Sequence, residues 1–322
     1  MELNELNKNA RGGTELMAAR IESALDKDLL DQVQIIHSRV REIDESKKQI
    51  LVLHDLPQDP EVQHLKDGGW KKYHKLIFVS NWQQAMYKAY LGVPYSAGFV
   101  IPNAVEAFEE HEKPNPNDTL RLMYFSTPHR GLDVLYHVFN QLSQEHENLE
   151  LNVFSSFDLY GWGERDSEYK SLFEALEAHP KINYSKSVSN EQIREEIKRS
   201  HILAYPSTWA ETSCLVLIES MMGGLIPVHS SCGALPETSL GLTEMYDFTE
   251  NPNEHAIRLY SMLTNVINAY RHPEGIKLIN QAKERMVSLA TRKYSWELRA
   301  NDWNRMIRAI LTEPVVPDTV QH

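Results

Sequence analysis

Apolar residues along this chain fall into short runs closed by Pro, Gly, Ser and Asn, not into long periodic stretches. Val33–His37, Ile50–His54, Leu76–Ser80 and Phe99–Ile101 predict four strands, and helix-like segments separate some of them. Ser80-Asn81 reads as the cap of a helix from Trp82 to Leu91. A second series follows at Leu120–Phe125, Leu151–Phe154, Ile182–Tyr184 and Ile202–Tyr205. Within it Leu132, Leu135, Phe139 and Leu142 recur at helical spacing, and Val188–Lys198 is also helical. Short apolar runs alternating with helices imply parallel sheets in an α/β protein. Residues 106–118 are rich in Glu, Pro and Asn and carry little apolar content, which predicts a linker between a first domain, 1–105, and a second, 119–293.

The chemistry concentrates between Tyr205 and Glu237. The strand ends at Pro206-Ser207, a polar turn runs through Glu211, and an apolar helix from Cys214 to Met222 closes at Gly223-Gly224. Ile226-Pro227-Val228 forms the next strand and leads into a small-residue turn. Thr212 or Ser213 can cap the helix, whose free N–H groups and partial positive charge suit a phosphate. A carboxylate just ahead of that end, Glu211, is a poor phosphate ligand but a good partner for a sugar attached to one. Glu219, two turns further on, can accept hydrogen bonds from a ribose. From spacing alone both glutamates read equally well as surface residues.

This segment resembles the donor-binding signature of the family-4 retaining glycosyltransferases. The matching features are Pro206-Ser207, Glu211, seven intervening residues, Glu219, Gly224, and the turn Gly233-Ala234-Leu235-Pro236-Glu237. The resemblance implies a GT-B fold: two Rossmann-like parallel-sheet domains facing across a cleft, here with a reduced N-terminal domain. Glu211 would then contact the transferred sugar, the backbone at Ser213, Cys214 and Leu215 the donor diphosphate, and Glu219 the ribose. Thr212 and Cys214 stand where the family commonly has glycine, and Ala234 replaces another, so the sugar pocket is narrowed.

Further site residues follow from the same resemblance. Gly12-Gly13 precedes a helix, where a glycine-rich loop would face the donor phosphates, although no strand is legible before it. His54, with Asp55 at a strand's carboxyl edge, would touch the donor sugar or acceptor; a half-buried structural histidine is the other reading. After Leu120–Phe125 the turn Ser126-Thr127-Pro128-His129-Arg130-Gly131 offers Arg130 for the diphosphate. A surface arginine is its plain alternative. The second basic position of the family appears here as Ser126 or Thr127, and Lys186 is a candidate for the missing charge. Val100–Val105 resembles the end of the family's first domain. Residues 294–311, with Trp296, Trp303 and Met306, resemble its closing helix, or form a terminal core helix; 312–322 reads as a frayed tail.

Whole-chain properties narrow the classes. The 322 residues carry a net charge of −12, which disfavours general binding to nucleic acid or anionic membranes while leaving a local basic pocket open. Only two cysteines occur, and the fourteen histidines show no zinc spacing. No apolar run reaches the roughly 18 residues of a membrane span, and the first residues are polar, so a cytoplasmic location is expected. Asp26-Lys27-Asp28 matches a metal-binding Asp-x-Asp form but lies in a charged helix-like stretch, where a solvated face is expected. No full Gly-x-Gly-x-x-Gly is present.

The expected activity is transfer of a sugar from a nucleotide-diphosphate donor, UDP- or GDP-linked, to an acceptor hydroxyl, with a glycan as the expected acceptor. Neither cofactor nor metal is expected. The alternatives are a nucleotide-sugar-binding module without transfer, or a glycosyltransferase acting on modified nucleic-acid bases, as in some virus-encoded enzymes.

Overall fold

The computed structural model describes residues 13–40, 42–109 and 113–312. It contains two parallel sheets. The first unit opens with α1 (Gly13–Ala24) and α2 (Lys27–Leu30), then β1 (Val33–His37), β2 (Lys48–Leu53), β3 (Lys75–Phe78), α3 (Asn81–Leu91) and β4 (Gly98–Val100), its strands ordered β1-β2-β3-β4. Alternate strand residues serve opposite faces. Val33, Ile35, Ile50, Val52 and Ile77 pack with α1 and α2, while Ile36, Leu51, Leu53, Leu76 and Phe78 pack with α3 and the segment holding Val62 and Leu65. Burial on both faces explains why these strands read as unbroken apolar runs.

The second unit continues with β5 (Leu120–Phe125), α4 (Leu132–Glu145), β6 (Leu149–Phe154), α5 (Lys170–Ala178), β7 (Ile182–Ser185), α6 (Asn190–Arg199) and β8 (Ile202–Tyr205). Then come α7 (Leu215–Met222), β9 (Ile226–Ser230), α8 (Leu235–Thr238), β10 (Glu244–Tyr246), α9 (Pro252–Tyr270), α10 (Pro273–Tyr294) and α11 (Trp296–Thr312). The six strands order as β10-β9-β8-β5-β6-β7. Strand order therefore reverses between β5 and β8, and in open α/β sheets the crevice beyond the carboxyl ends at such a point is where ligands bind.

The chain crosses between units twice, and the crossings hold each other. Val105 N donates to Tyr294 O at 3.0 Å, and Trp296 N donates to Val105 O at 2.9 Å. Trp303, Met306, Ile307 and Ile310 of α11 then complete the core beneath the first sheet. Arg20 of α1 grips the start of the intervening segment through two bonds to the Glu106 carboxylate, at 2.9 and 2.6 Å.

Boundaries differ from the sequence expectation by a residue or two at β2, β3, β4, β6 and α6, while β1, β5 and β8 coincide with it. Asp26, Lys27 and Asp28 are all exposed at the start of α2, the solvated face expected of them, and Asp26 pairs with Arg308 of α11. Gly12 and the question of an earlier strand lie outside the described residues, as do 313–322 of the tail.

Candidate functional site

At the reversal point the turn after β5 meets the loop after β8. Arg130 Nε donates to Glu211 Oε1 at 2.8 Å, and the Tyr205 hydroxyl, at the end of β8, donates to the same oxygen at 2.7 Å. A third bond runs from Arg130 Nη1 to Thr127 Oγ1. The pair is largely buried, with side chains 15% and 10% exposed. Burial works against the Arg130 charge, but Glu211 and the neighbouring Tyr160, Tyr205 and Tyr124 more than offset it, so its pKa stands above the ordinary value.

Two glycines allow this approach. Gly131 has φ +89°, and a Cβ there would lie 1.9 Å from the Pro206 carbonyl oxygen. Gly233, φ +66°, runs beside Glu211, where a Cβ would meet its backbone N at 2.5 Å. In both places only glycine combines the left-handed backbone with the contact.

The helix α7 begins at Leu215, with Cys214 as the N-cap and no side-chain cap bond. The sequence expectation that Thr212 or Ser213 caps it is corrected: the Thr212 hydroxyl donates instead to the His54 carbonyl of the first unit, at 2.7 Å. Capping lost out to a bond across the cleft. Gly13, at the start of α1, lies against the same helix end, its Cβ position 2.9 Å from Leu215 Cδ1. Glu219 is buried further along α7, where Asn190 Nδ2 donates to it at 3.1 Å; burial raises its pKa. Cys214 is buried too, which pushes its thiol pKa up.

His54 sits past the end of β2, on the cleft side, and its Nε2 lies 3.3 Å from His37 Nδ1 at the end of β1. Burial pushes its pKa down to about 4, so the ring is neutral near pH 7. Lys186 is exposed beyond β7, two strands and about 10 Å across the sheet from β5. The fold therefore gathers Arg130, Glu211, Cys214, Leu215, Gly13 and His54 around one crevice and leaves Lys186 at its margin.

Several neighbours were not singled out in the sequence for the parts they play. His37 pairs with His54, and Tyr205 holds Glu211. His129 stacks on Phe157, with centroids 5.3 Å apart, and meets Trp209 edge-on at 5.2 Å, joining the three loops that rim the crevice. Glu237, known from sequence only as part of the glycine turn, accepts from Asn81 N (2.9 Å), Asn81 Nδ2 (2.7 Å) and Trp82 N (2.9 Å) of the opposite unit. It thus caps α3 from across the cleft, and Ser80 caps it locally, accepting from Gln83 N at 3.0 Å. Among the described residues no cluster of three or more His, Cys, Asp or Glu is arranged to hold a metal, and no helix is long and apolar enough to cross a membrane.

Comparison with known proteins agrees with this geometry. Residues 106–240 match the family model described as glycosyl transferases group 1. Over 144 residues, 43% of this chain and 30% of the relative, the sequence is 27% identical to the phosphatidylinositol N-acetylglucosaminyltransferase gpi3 subunit of Schizosaccharomyces pombe. The chain thus spans under a third of that relative's length. A glycosyltransferase from Rickettsia africae superposes with a TM-score of 0.69 at 15% identity, covering 96% of this chain and 85% of its own. HepE from Anabaena, solved with UDP-glucose, gives a TM-score of 0.58 at 17% identity, covering 83% of this chain and 72% of its own. Residues 106–240 are thus similar to a glycosyltransferase domain, and the two-sheet fold is the GT-B architecture of the solved neighbours.

Proposed function

We propose that this protein is a retaining, metal-independent glycosyltransferase that moves a sugar from a UDP- or GDP-linked donor to an acceptor hydroxyl on a glycan. The observation that carries the reading is the Arg130–Glu211 pair at the strand-order reversal, facing the amino end of α7 and the start of α1. Among the described residues, Glu211 Oε2 and Arg130 Nη2 have no protein partner, which leaves one acceptor for a sugar hydroxyl and one donor for a phosphate.

In this reading the diphosphate lies between Arg130 and the N–H groups at Ser213 to Leu215, where fixed dipoles and one buried cation stabilise the leaving group. Glu219 accepts from the ribose. Glu211 orients the sugar and stabilises positive charge at the anomeric carbon. The anomeric C–O bond to the diphosphate breaks, the acceptor oxygen bonds the same face of that carbon, and the departing phosphate oxygen takes the acceptor's proton. His54, neutral at pH 7, contributes a hydrogen bond to sugar or acceptor without competing for the phosphates. The paired crossing at Val105 and Ser295 forms the hinge about which the cleft closes and excludes water.

The test is a thermal-shift panel of UDP, GDP, ADP and their sugars, followed by donor turnover with and without chelator. A uridine or guanosine diphosphate that raises Tm, with turnover unaffected by EDTA, supports the proposal. Tm shifts without any slow donor hydrolysis or transfer point to a nucleotide-sugar-binding module.

A further inference from the structure

Charge is distributed unevenly along the chain. Between Val62 and Val105 there are five lysines, one aspartate and no arginine or glutamate, although the chain as a whole carries −12. The fold collects most of those lysines at one place. Lys71 and Lys72 directly precede β3, which begins at Lys75. Helix α3 runs back between the parallel strands β3 and β4, so its last turn, with Lys88 and Tyr90, reaches the amino ends of the strands. Tyr95 lies just before β4, and Phe99 points outward from β4 at the sheet's edge.

Three large aromatic side chains are exposed here: Tyr90 at 56%, Tyr95 at 51% and Phe99 at 40%. Lysine ammonium groups stand over two of them, Lys88 at 4.3 Å from the Tyr95 ring and Lys75 at 5.2 Å from Phe99. Lysines alone would be explained as protection of an edge strand against pairing. Exposed aromatics at the same edge work against that purpose, and clustered exposed apolar surface marks an interaction site. The acids of the loop entering β2, Asp44 and Glu45, lie towards β1, where Asp44 N bonds Gln34, on the opposite side of the sheet.

We propose that this lysine–aromatic edge of the first unit docks on an anionic lipid surface. The partner is negative by charge complementarity. A lipid fits better than a nucleic acid because the patch has lysine but no arginine, whose fork is the group suited to bidentate phosphate and base contacts. Tyrosine and phenylalanine flanked by flexible ammonium groups suit the headgroup layer, where rings sit at the polar–apolar boundary and lysines reach lipid phosphates. The patch lies at the amino ends of the strands and His54 at the carboxyl ends, so a docked molecule holds its crevice off the surface.

The experiment is co-sedimentation of the full chain with vesicles of phosphatidylcholine alone or mixed with phosphatidylserine, at low and higher salt. The expected result is pelleting with the phosphatidylserine vesicles only, weakening as salt rises. Replacing Lys71, Lys72 and Lys88 together by Ala lowers partitioning by about 100-fold, each lysine counting for about fivefold. A separate Tyr90→Ser, Tyr95→Ser, Phe99→Ser variant weakens binding at every salt concentration; all six positions are exposed, and melting curves check the fold of both variants. Equal pelleting with both vesicle types, or an unchanged lysine variant, overturns the proposal. So does retention of a DNA duplex by a chain that stays in the supernatant when the vesicles pellet.

Discussion

Arg130 Nε and Glu211 Oε1 meet at 2.8 Å across the point where the second sheet reverses its strand order, so the turn after β5 and the loop after β8 share one ion pair. The pair ties together the two loops that carry the candidate site. Glu211→Ala is expected to lower kcat by at least about 100-fold, the scale for losing one placed electrostatic group. Arg130→Ala is expected to raise donor KM as well, since in the proposed reading Arg130 is the cation that faces the diphosphate. Each single change leaves a buried charge unmatched and destabilises by roughly 3–5 kcal/mol. The double variant recovers part of that loss, with a coupling of about 1–3 kcal/mol in urea titrations. Additive losses would mean that the two side chains do not act as a pair in solution.

Gly131 sets how closely the two arms approach. Its φ is +89°, and the Pro206 carbonyl oxygen occupies the space of a side chain, 1.9 Å from the Cβ position. Gly92, which ends α3 at φ +69°, has nothing within 4 Å of its Cβ position. Gly92→Ala is expected to cost about 1–2 kcal/mol, the strain of a left-handed residue alone. Gly131→Ala should cost at least about 2 kcal/mol more by forcing backbone apart, and should lower donor turnover about as far as Arg130→Ala. Equal Tm losses for the two variants would show that the turn relaxes without moving Arg130.

Glu237 and α3 meet across the cleft, as Thr212 and His54 do. One carboxylate takes three donors from Asn81 and Trp82, at a helix end that favours negative charge. Removing it with Glu237→Ala leaves Ser80 as the remaining cap and is expected to cost about 1 kcal/mol. The sharper readout is shape: small-angle scattering should show a larger radius of gyration, and kcat should fall about tenfold as closure becomes less populated. Scattering unchanged from the parent chain would limit Glu237 to a local cap.

What the sequence made legible follows from which forces act locally. β1, β5 and β8 coincide with their apolar runs because these strands are buried on both faces and end at residues that break the pattern. Glu211, Arg130 and Gly13 stand out because turns before helices have distinctive residues. Other features depend on partners distant in the chain. Thr212 reads as a cap, yet its hydroxyl bonds a carbonyl 158 residues away. Glu237 reads as part of a glycine turn, and its three donors lie over 150 positions earlier. His37 is an ordinary strand end until β2 brings His54 beside it. The long helices α9 and α10 carried no local chemistry that drew notice, although they cover α4 and α7 and complete the core.

Buried neutral histidines give the fold an acid limit. Burial pushes the pKa values of His54, His201 and His229 each down to about 4, and that of His37 well below its usual value. In the unfolded chain these rings titrate near 6.5. Between about pH 6.5 and 4 the unfolded state therefore binds protons that the folded state refuses, and stability falls as pH is lowered through that window. His229 shows why the folded ring resists. Its Nδ1 lies 2.8 Å from the Ser230 carbonyl oxygen and must carry the proton there, while Nε2 accepts from the Thr243 hydroxyl at 2.7 Å. A second proton would reverse the Thr243 bond, making the hydroxyl the acceptor, and would bury a charge. Urea midpoints measured from pH 7 to 4.5 should fall steadily, and His229→Gln should reduce the slope by about one proton while costing stability at pH 7. A midpoint that stays flat down to pH 4.5 would mean that these rings take up protons without leaving their sites.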